Sequence, residues 1–521
     1  MELFDNTTSS IQAVAVEYGG LREYQSHFLL AVAFVVVVYG FLRNDDAKKL
    51  PVINPKGFFQ LTSSQAIMSF AIAGRDLLDE ARRRFGATPF RVLTDQGNII
   101  MLRPQHGEEI RNDPRFSVDK PIIELFQAKY PGFEPFMEGA IPTKPLQNVV
   151  KLRVTKSLEN IATAKITQPL SDECAVTLQE FLGGTKDSQD IVLRDLIIRL
   201  ISRMSARIFV GENLCRNERW LDLVVNYGEN SVLGMRKLRL WPSFLKTLAT
   251  NYIPECKDLK AQVKEAWDLV AAELEARHAK NDGKEYNDAI YWFEEHAAGK
   301  PYNFGASQLM LAVVSIGTTS DLITQAMVDI LQHPELIGPL REEIIACLEK
   351  EGWKKTALYN MKLLDSVLNE SQRLKPNQIS SMFRQAIADV TLSDGTKIPK
   401  GSSVAVSGER MRDPVFYENP NEFDGYRFLR MRESGKPGQE AAAQLVTTSV
   451  NHLGFGHGEH SCPGRFFAAS EAKIIIAHLL LKYDWNYDTA YKMRLRKFGF
   501  AEEADPDLKV SCKRREMEIS L

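Results

Sequence analysis

The chain has 521 residues, of which 44% are hydrophobic and 25% are charged, an ordinary composition for a folded globular protein. Its 65 lysines and arginines are almost balanced by 67 aspartates and glutamates, and this formal net charge of -2 argues against binding to nucleic acid. The six cysteines lie far apart and form no CxxC pair, which argues against a disulfide scaffold and against a zinc module.

The first predicted element is an uncharged apolar run, FLLAVAFVVVVYGFL, at residues 28–42. As a helix it reaches about 22 Å, and Tyr24, His27 and Arg43 can extend it into the interfaces of a ~30 Å hydrocarbon core. A signal peptide would need a basic lead and a small-residue cleavage site, and a buried core helix would have a polar face. The run therefore favours a single N-terminal transmembrane anchor, with the basic flank on the cytosolic side.

The segments on either side of the run have different predicted roles. Residues 1–27 form a short lumenal tail that contains the glycosylation sequon Asn6-Thr7-Thr8. Residues 43–58 include LPVINPKG, whose two prolines prevent a continuous helix and predict a semi-rigid linker. Residues 59–521 are then the folded body of the protein.

Helical periodicity dominates this body, and strand-like segments are few and short. The clearest predicted helices cover residues 66–85, 192–210, 259–279, 306–331, 336–350 and 468–482. The predicted strands are residues 90–92, 99–102, 390–392 and 403–406, and VTLSDGTKIPKGSSVAVS predicts a hairpin that turns at Asp394-Gly395. The fold class is mainly α with a small β region.

The predicted helix at 306–331 has an unusual centre. Its apolar composition alone indicates a buried core helix, but Gly317, Thr318, Thr319 and Ser320 are poor helix formers grouped at its middle. Such a patch loosens the backbone hydrogen bonds, and the hydroxyls can bond to carbonyls or to water.

Farther along, LLDSVLNESQRLKP places Glu370 and Arg373 on one helix face, where they can form a charge-assisted hydrogen bond. Taken alone, such a pair is usually an exposed ion pair that contributes little to stability.

The most informative segment is FGHGEHSCPGRFFAASEAKIIIAHLL, which begins at Phe455. Glycines at 456 and 458 allow a tight loop, and Pro463 favours the first turn of the helix that follows. Cys462 is therefore predicted at a helix N-terminus, where free N–H groups and the helix dipole stabilise a thiolate.

A thiolate in this position is either a nucleophile or a metal ligand. A nucleophile needs a histidine base, but His457 and His460 lie on the same loop and no third orienting group is evident. A haem ligand needs a flat surface without a competing side chain, and Gly464 and Phe455 suit that requirement. An inert buried cysteine would not explain the glycines and phenylalanines at these spacings.

Phe455-x-x-Gly458-x-x-x-Cys462-x-Gly464 resembles the haem-ligand signature of the cytochrome P450 monooxygenases. The resemblance implies the cytochrome P450 fold, with haem b as cofactor and Cys462 as the axial ligand of its iron, where thiolate ligation favours O–O cleavage. His460 stands where many members have an arginine that binds a haem propionate.

The same resemblance assigns roles to basic residues elsewhere in the chain. Glu370 and Arg373 match the family's Glu-x-x-Arg pair, and Arg427 in EFDGYRF matches the third member of this structural triad. Arg384 stands at about the place of a propionate-binding arginine. Lys151, with Arg153, resembles the basic helix that binds the haem from the other side.

The centre of helix 306–331 matches the oxygen-side helix of the family. Thr318 corresponds to the threonine that hydrogen-bonds bound oxygen and helps to transfer protons. Gly317 replaces the usual acid and Ser315 the usual glycine, and Asp321, one turn beyond Gly317, partly compensates. Predicted substrate contacts are mostly apolar or small and indicate an apolar substrate: residues 116–136, Val313, Gly317, and residues 377–382 and 498–503.

The resemblance is closest to filamentous-fungal members that oxidise terpenoids and polyketides in secondary metabolism. It implies a monooxygenase anchored in the endoplasmic reticulum membrane, with its catalytic domain in the cytosol. No Gly-rich dinucleotide fingerprint is found, so electrons are expected from NADPH through a separate NADPH-cytochrome P450 reductase. Two alternatives remain: the same haem chemistry giving multistep oxidation, desaturation, epoxidation or rearrangement, and a non-catalytic haem sensor or carrier.

Overall fold

A computed structural model describes residues 49–57, 60, 62–159, 165–183, 187–280, 283, 285–488 and 490–519, and residues Pro51–Leu521 form one compact unit. The predicted anchor at 28–42, the tail with Asn6 and residues 43–48 and 58 of the predicted linker lie outside the described residues. Within them, one helix, Phe304–Gln332, is long and apolar enough to cross a membrane, and most of it is buried inside the protein.

Helices make up most of the described chain. In chain order they are α1 Ser64–Phe85, α2 Pro104–Ile110, α3 Asp119–Leu125, α4 Glu134–Glu138, α5 Pro145–Val149, α6 Thr155–Glu159, α7 Thr167–Leu182, α8 Leu193–Phe209, α9 Gly211–Leu214, α10 Glu218–Arg239, α11 Lys246–Ala249, α12 Pro254–Lys280, α13 Ala289–Ala297, α14 Phe304–Gln332, α15 Ile337–Glu351, α16 Lys355–Asn360, α17 Lys362–Leu374, α18 Arg427–Glu433, α19 Gln439–Ala442 and α20 Arg465–Lys482. A π-helical turn, Val150–Val154, joins α5 to α6.

The strands are short. They are β1 Phe90–Thr94, β2 Gly97–Leu102, β3 Phe116–Ser117, β4 Gln189–Val192, β5 Ser380–Ala386, β6 Val390–Thr391, β7 Lys397–Ile398, β8 Ser403–Ser407, β9 Tyr483–Asn486, β10 Arg496–Phe498, β11 Ala501–Glu503 and β12 Lys509–Arg514. The largest sheet has the order β1-β2-β8-β5-β3, with β2 and β8 parallel and its other pairs antiparallel.

All six clearest predicted helices are confirmed, and each predicted strand overlaps an observed one. The predicted hairpin is confirmed where β6 pairs with β7 around Gly395, whose φ of 85° suits the turn. The last part of that segment, β8, pairs instead with β2 and β5 in the large sheet. Strand β4, which the sequence does not predict, lies far from the other strands along the chain and pairs with β12.

The predicted linker ends earlier than its prolines suggest. Ile53 is buried, and Asn54 donates from Nδ2 to the carbonyls of Ala66 (2.8 Å) and Leu93 (2.9 Å). The N–H of Ile53 donates to the carbonyl of Arg91 at 3.1 Å. Residues 51–54 thus belong to the packed body, since proline prevents a helix but does not prevent extended pairing beside β1.

Two buried helices and one irregular strand position the site. Helix α14 packs against α8, α12 and α17, and α20 lies behind it with its middle fully buried. In β5, the pairing with β8 shifts register between Ser381 and Arg384, and Met382 adopts a positive φ of 55°. This bulge bends β5 at residues that line a cavity, among them Ser381, Met382 and Arg384.

Candidate active site

A cavity of about 630 Å³ lies at the centre of the body. Its walls come from α14, from the loop at residues 455–464 (the cysteine loop), from residues 375–384 and from α3, α5 and the π-helical turn. A volume of this size lies in the range of sites that enclose small molecules.

The cysteine loop has the tight form predicted from its glycines. Gly456 and Gly458 have positive φ angles of 69° and 84°, and a Cβ atom on Gly458 would lie 2.6 Å from Cβ of Arg111. The N–H of Cys462 donates to the carbonyl of Phe455 at 2.9 Å, and α20 begins three residues later. The loop therefore presents Cys462 to the cavity at the start of a helix, as the sequence predicts.

The protonation of Cys462 differs from the simple expectation for a helix N-terminus. Burial raises the pKa of its thiol, and this rise is opposed by the N–H of Gly464 and by the charge and N–H of Arg465. Burial dominates, so the helix start alone does not produce a thiolate. A coordinated metal cation supplies the missing positive charge and deprotonates such a thiol.

The two loop histidines do not form a catalytic pair with this sulfur. His457 is buried, and its Nε2 is 3.2 Å from both Oε1 of Glu108 and Nη1 of Arg111. His460 lines the cavity, and burial together with the charges of Arg384 and Lys144 lowers its pKa. The geometry thus favours a metal ligand over a cysteine nucleophile.

Basic side chains line the cavity near the cysteine loop. Arg384 is 5% exposed, its Nη1 donates to the carbonyl of Phe383 at 2.8 Å, and it has no acidic partner among the described residues. Burial lowers its pKa to about 10. Lys151 and Lys144 also line the cavity.

Two details of this basic group differ from the prediction. Arg153 forms an ion pair with Glu295 and does not line the cavity. Lys144 was missed because its place depends on a left-handed backbone conformation (φ 52°) just before Pro145, and only the Lys-Pro dipeptide at the start of α5 hinted at it.

These residues fit the haem expected from the resemblance. A buried guanidinium without a carboxylate is costly unless an anion binds it, and a haem propionate is such an anion. A side chain at position 464 would stand beside the sulfur, because a Cβ atom there would lie 4.0 Å from Sγ of Cys462. The glycine keeps the sulfur uncovered. Cys462, Arg384, Lys151 and His460 would hold the group.

Helix α14 presents one stripe to the cavity. Leu311, Val314, Ser315, Thr318 and Leu322 line it, at the spacing of a single helix face. The Thr318 hydroxyl donates to the carbonyl one turn earlier at 3.1 Å, which leaves its lone pairs available in the cavity.

Two predicted substrate contacts on this helix do not line the cavity. The predicted contact Val313 was wrong by one position, because its neighbour Val314 is on the stripe and is 43% exposed. Gly317 is exposed but does not line the cavity, and no atom lies within 4 Å of a Cβ atom built on it.

Asp321 is not a free acid. Its Oδ2 forms a buried ion pair with Nζ of Lys375, and its Oδ1 accepts the N–H of Ala504 at 2.7 Å. Lys375 also donates to the carbonyl of Glu502 at 3.4 Å. Asp321 therefore joins α14 to two other segments, and its partial substitution for the acid missing at Gly317 stays a prediction, with Lys375 as its ion-pair partner.

Glu370, Arg373 and Arg427 come together behind the cysteine loop. Arg373 donates from Nε and Nη2 to both oxygens of Glu370 (2.8 and 2.7 Å), and neither side chain is exposed. Its Nη1 donates to the carbonyls of Met411 and Pro420, and Arg427 Nε donates to Glu370 at 3.0 Å. Every charge in this group has a partner.

The predicted substrate segments contribute unequally. Asp119 and Ile122 of α3 line the cavity, as do Asn377, Gln378 and Met382. Residues 498–503 do not line it, because they form strands β10 and β11 in the layer behind residues 375–379. In that layer the ring of Phe500 packs 5.2 Å from that of Phe383.

Comparison with known proteins gives consistent matches. A family model described as Cytochrome P450 matches residues 75–507. The chain is 42% identical over 494 residues to the cytochrome P450 monooxygenase TRI1 of Fusarium sporotrichioides, covering 94% of this chain and 89% of that protein. It is 40% identical over 513 residues to the cytochrome P450 monooxygenase hepE of Aspergillus oryzae, covering 96% and 92%.

The fold is similar to that in the crystal structure of the cytochrome P450DA heme domain. The two share a TM-score of 0.67 at 16% sequence identity, and the match covers 90% of this chain and 98% of that one. At this identity the likeness concerns the fold alone.

Proposed function

The chain belongs to the cytochrome P450 family and is a haem-dependent monooxygenase, and from this premise we propose that it oxidises a terpenoid or polyketide intermediate of fungal secondary metabolism. The observation that supports this proposal is the cavity itself. Cys462, just before α20, and a stripe of apolar and hydroxyl residues on α14 line the same space. The named relatives are fungal monooxygenases, which agrees with such a substrate.

In this proposal the chain's own residues hold the cofactor, orient the substrate and manage protons. Cys462 would hold the haem iron through its sulfur, with Phe455, Gly458 and Gly464 shaping its loop, and the haem would supply the activation of O2 that no amino-acid side chain can perform. Arg384, Lys151 and His460 would bind its propionates.

Thr318 is the proposed proton-handling residue. Its Oγ1 donates to a backbone carbonyl, so the oxygen can accept a hydrogen bond from a water molecule in the cavity. The apolar neighbours on the stripe, Leu311 and Val314, exclude bulk water and orient the carbon that reacts.

The chain needs a redox partner, since members of the family take electrons from NADPH through a reductase. We propose NADPH-cytochrome P450 reductase for this role, with residues 28–42 as a single-pass anchor in the endoplasmic reticulum membrane. Residues 1–27, with the sequon at Asn6, are then lumenal, residues 43–50 are the connection, and the catalytic domain faces the cytosol.

The carbon monoxide difference spectrum of the reduced protein tests the ligand assignment. Wild-type protein should give the Soret band of a thiolate-ligated haem, and Cys462→Ala should lose it. Cys512→Ala is the control, because Cys512 is a buried cysteine that does not line the cavity. A Cys462→Ala protein that keeps the thiolate band contradicts the assignment.

A second outcome of the same chemistry is favoured by one observation: Gly317 stands at the usual acid position, and Asp321 is paired with Lys375. Altered proton supply favours desaturation, epoxidation, rearrangement or repeated oxidation over a single hydroxylation. Turnover under labelled O2, together with the structure of the product, separates the two. A single hydroxylation places one labelled atom at a former C–H bond, epoxidation places one at a former double bond, desaturation places none, and repeated oxidation takes a carbon beyond the alcohol level.

A further inference from the structure

The walls of the cavity differ in the polar groups that they carry. Helix α14 contributes four apolar residues and four polar ones, the polar ones being Ser315, Thr318, Thr319 and Asp321. The segment after α17 contributes Asn377 and Gln378, two residues with carboxamide side chains, to the lining of the same cavity. We call these two residues the amide wall.

The polar groups on the two walls differ in how they are satisfied. On α14, the hydroxyls of Ser315 and Thr318 donate to carbonyls of their own helix at 2.9 and 3.1 Å. In the part of the chain that the structure describes, the side chains of Asn377 and Gln378 make no hydrogen bond to protein. Each carboxamide therefore offers two donors and an acceptor to whatever fills the cavity.

Ser380 gives independent support. The residue is among those that line the cavity, it is 1% exposed, and its Oγ has no hydrogen-bond partner among the described residues. A buried hydroxyl without a partner indicates a polar group that the protein alone does not supply.

The backbone that carries the amide wall is fixed. The N–H of Ile379 donates to the carbonyl of Phe500 at 2.9 Å, and the N–H of Glu502 donates to the carbonyl of Asn377 at 3.1 Å. The Asp321–Lys375 ion pair ties the start of the segment to α14. Asn377 and Gln378 thus lie on a fixed backbone, and only their side chains have to be ordered when a ligand binds.

We infer that the substrate is an apolar skeleton that already carries a hydroxyl or carbonyl group, and that Asn377 and Gln378 bind this oxygen. The inference rests on the proposed function and narrows its substrate class. A hydrocarbon of the same shape would displace water from the amides without replacing its hydrogen bonds, which lowers affinity. An earlier oxygenation, or a cyclisation that retains oxygen, must therefore supply the substrate.

Matched probe pairs test this inference on purified holoprotein. Valencene with nootkatone, and cedrene with cedrol, compare a hydrocarbon with an oxygenated relative of similar skeleton. Dissociation constants are measured by equilibrium dialysis and by the spectral shift of the haem. We expect the oxygenated member of at least one pair to bind about 10-fold more tightly, and Asn377→Leu to reduce that ratio about 3- to 10-fold.

Gln378→Met should reduce the ratio in the same direction, and Gln96→Met is the control, since Gln96 lies on the exposed turn between β1 and β2. Equal binding of both members in every pair, failure of every oxygenated probe to bind, or an unchanged ratio in both amide variants overturns the inference. The carbon monoxide spectrum of the same preparations reports the haem-thiolate assignment separately, so the two failures are distinguishable.

Discussion

Arg373 on α17 and Arg384 on β5 are both buried arginines, but their surroundings differ. Arg373 donates to both oxygens of Glu370 and to two backbone carbonyls, so its charge and its donors are satisfied by the protein. Arg384 donates to one carbonyl and has no carboxylate partner among the described residues. A complete set of partners indicates a role in the fold, and an incomplete set indicates a role in binding a ligand.

The contrast extends to the segments around each arginine. The triad of Glu370, Arg373 and Arg427 lies outside the cavity and joins α17 to the chain before α18. Arg384 belongs to the segment that also carries the unpartnered Ser380 and the amide wall. The triad stabilises the fold. The segment around Arg384 contains unpaired polar groups, which lower stability but can bind a ligand.

The largest effect is expected from breaking the satisfied region. Arg373→Met leaves Glu370 as a buried carboxylate with one remaining arginine, a loss of about 3–5 kcal/mol that is comparable with the total stability of many proteins. We expect little folded haem protein on expression, measured by haem content and by thermal unfolding. Lys264→Met is the control, because it removes an exposed ion pair with Asp268. A normally folded Arg373→Met protein would contradict the claim that the triad stabilises the fold.

Glu471 is intermediate between these two arginines, because only one of its two carboxyl oxygens has a hydrogen-bond partner among the described residues. Its Oε1 accepts a hydrogen bond from Ser205 at 2.8 Å, its Oε2 has no partner among the described residues, and burial raises its pKa to about 8. Because the unfolded value is about 4.3, the carboxyl stays protonated in the fold while the unfolded chain ionises. Its contribution to stability is therefore fully present below about pH 4.3 and is lost as the pH rises to about 8.

Glu471→Gln removes this titration. Wild-type and variant should have similar denaturation midpoints at pH 5, and between pH 5 and 8.5 the wild type should lose on the order of 4 kcal/mol more than the variant. Urea denaturation at the two pH values measures the difference. Parallel pH profiles would show that Glu471 is ionised in the fold.

Arg384→Met tests the unsatisfied region. Removing an unpaired buried charge should leave the stability of the haem-free protein unchanged or raised, while haem is held about 10- to 100-fold less tightly. The rate of haem transfer to excess apomyoglobin measures the second effect. Arg153→Met is the matched control, because Arg153 pairs with Glu295 away from the cavity. Loss of stability without loss of haem affinity would make Arg384 a scaffold residue.

The smallest effect is expected on α14. Gly317→Ala should stabilise the protein by about 1 kcal/mol, because alanine favours a helix and no atom lies within 4 Å of the new Cβ. Gly305→Ala in the same helix should destabilise, since its Cβ would lie 2.7 Å from Cα of Trp267. Thermal unfolding compares both with the wild type, and a destabilised Gly317→Ala protein would mean that the space is needed by something bound.

The sequence predicted local features best. Cys462 at the start of α20 and the Glu370–Arg373 pair are set by short spacings within one loop or one helix turn. Features that depend on distant parts of the chain were missed: the partner of Asp321 is 54 residues away, and β12 pairs with β4 across more than 300 residues. Strands β9 to β11 contain only three or four residues each, too few for alternation to be recognised.

The bulge at Met382 has a consequence for how such a chain can diversify. A methionine with positive φ costs about 1–3 kcal/mol, and both ends of β5 remain paired with β8 on either side of it. A substitution that lets residue 382 return to a negative φ would change the directions of the side chains of Ser381 and Phe383. The order of the strands in the sheet would stay the same. Selection could thus change which molecules are accepted in single steps, while the sequence of the cysteine loop is inherited intact.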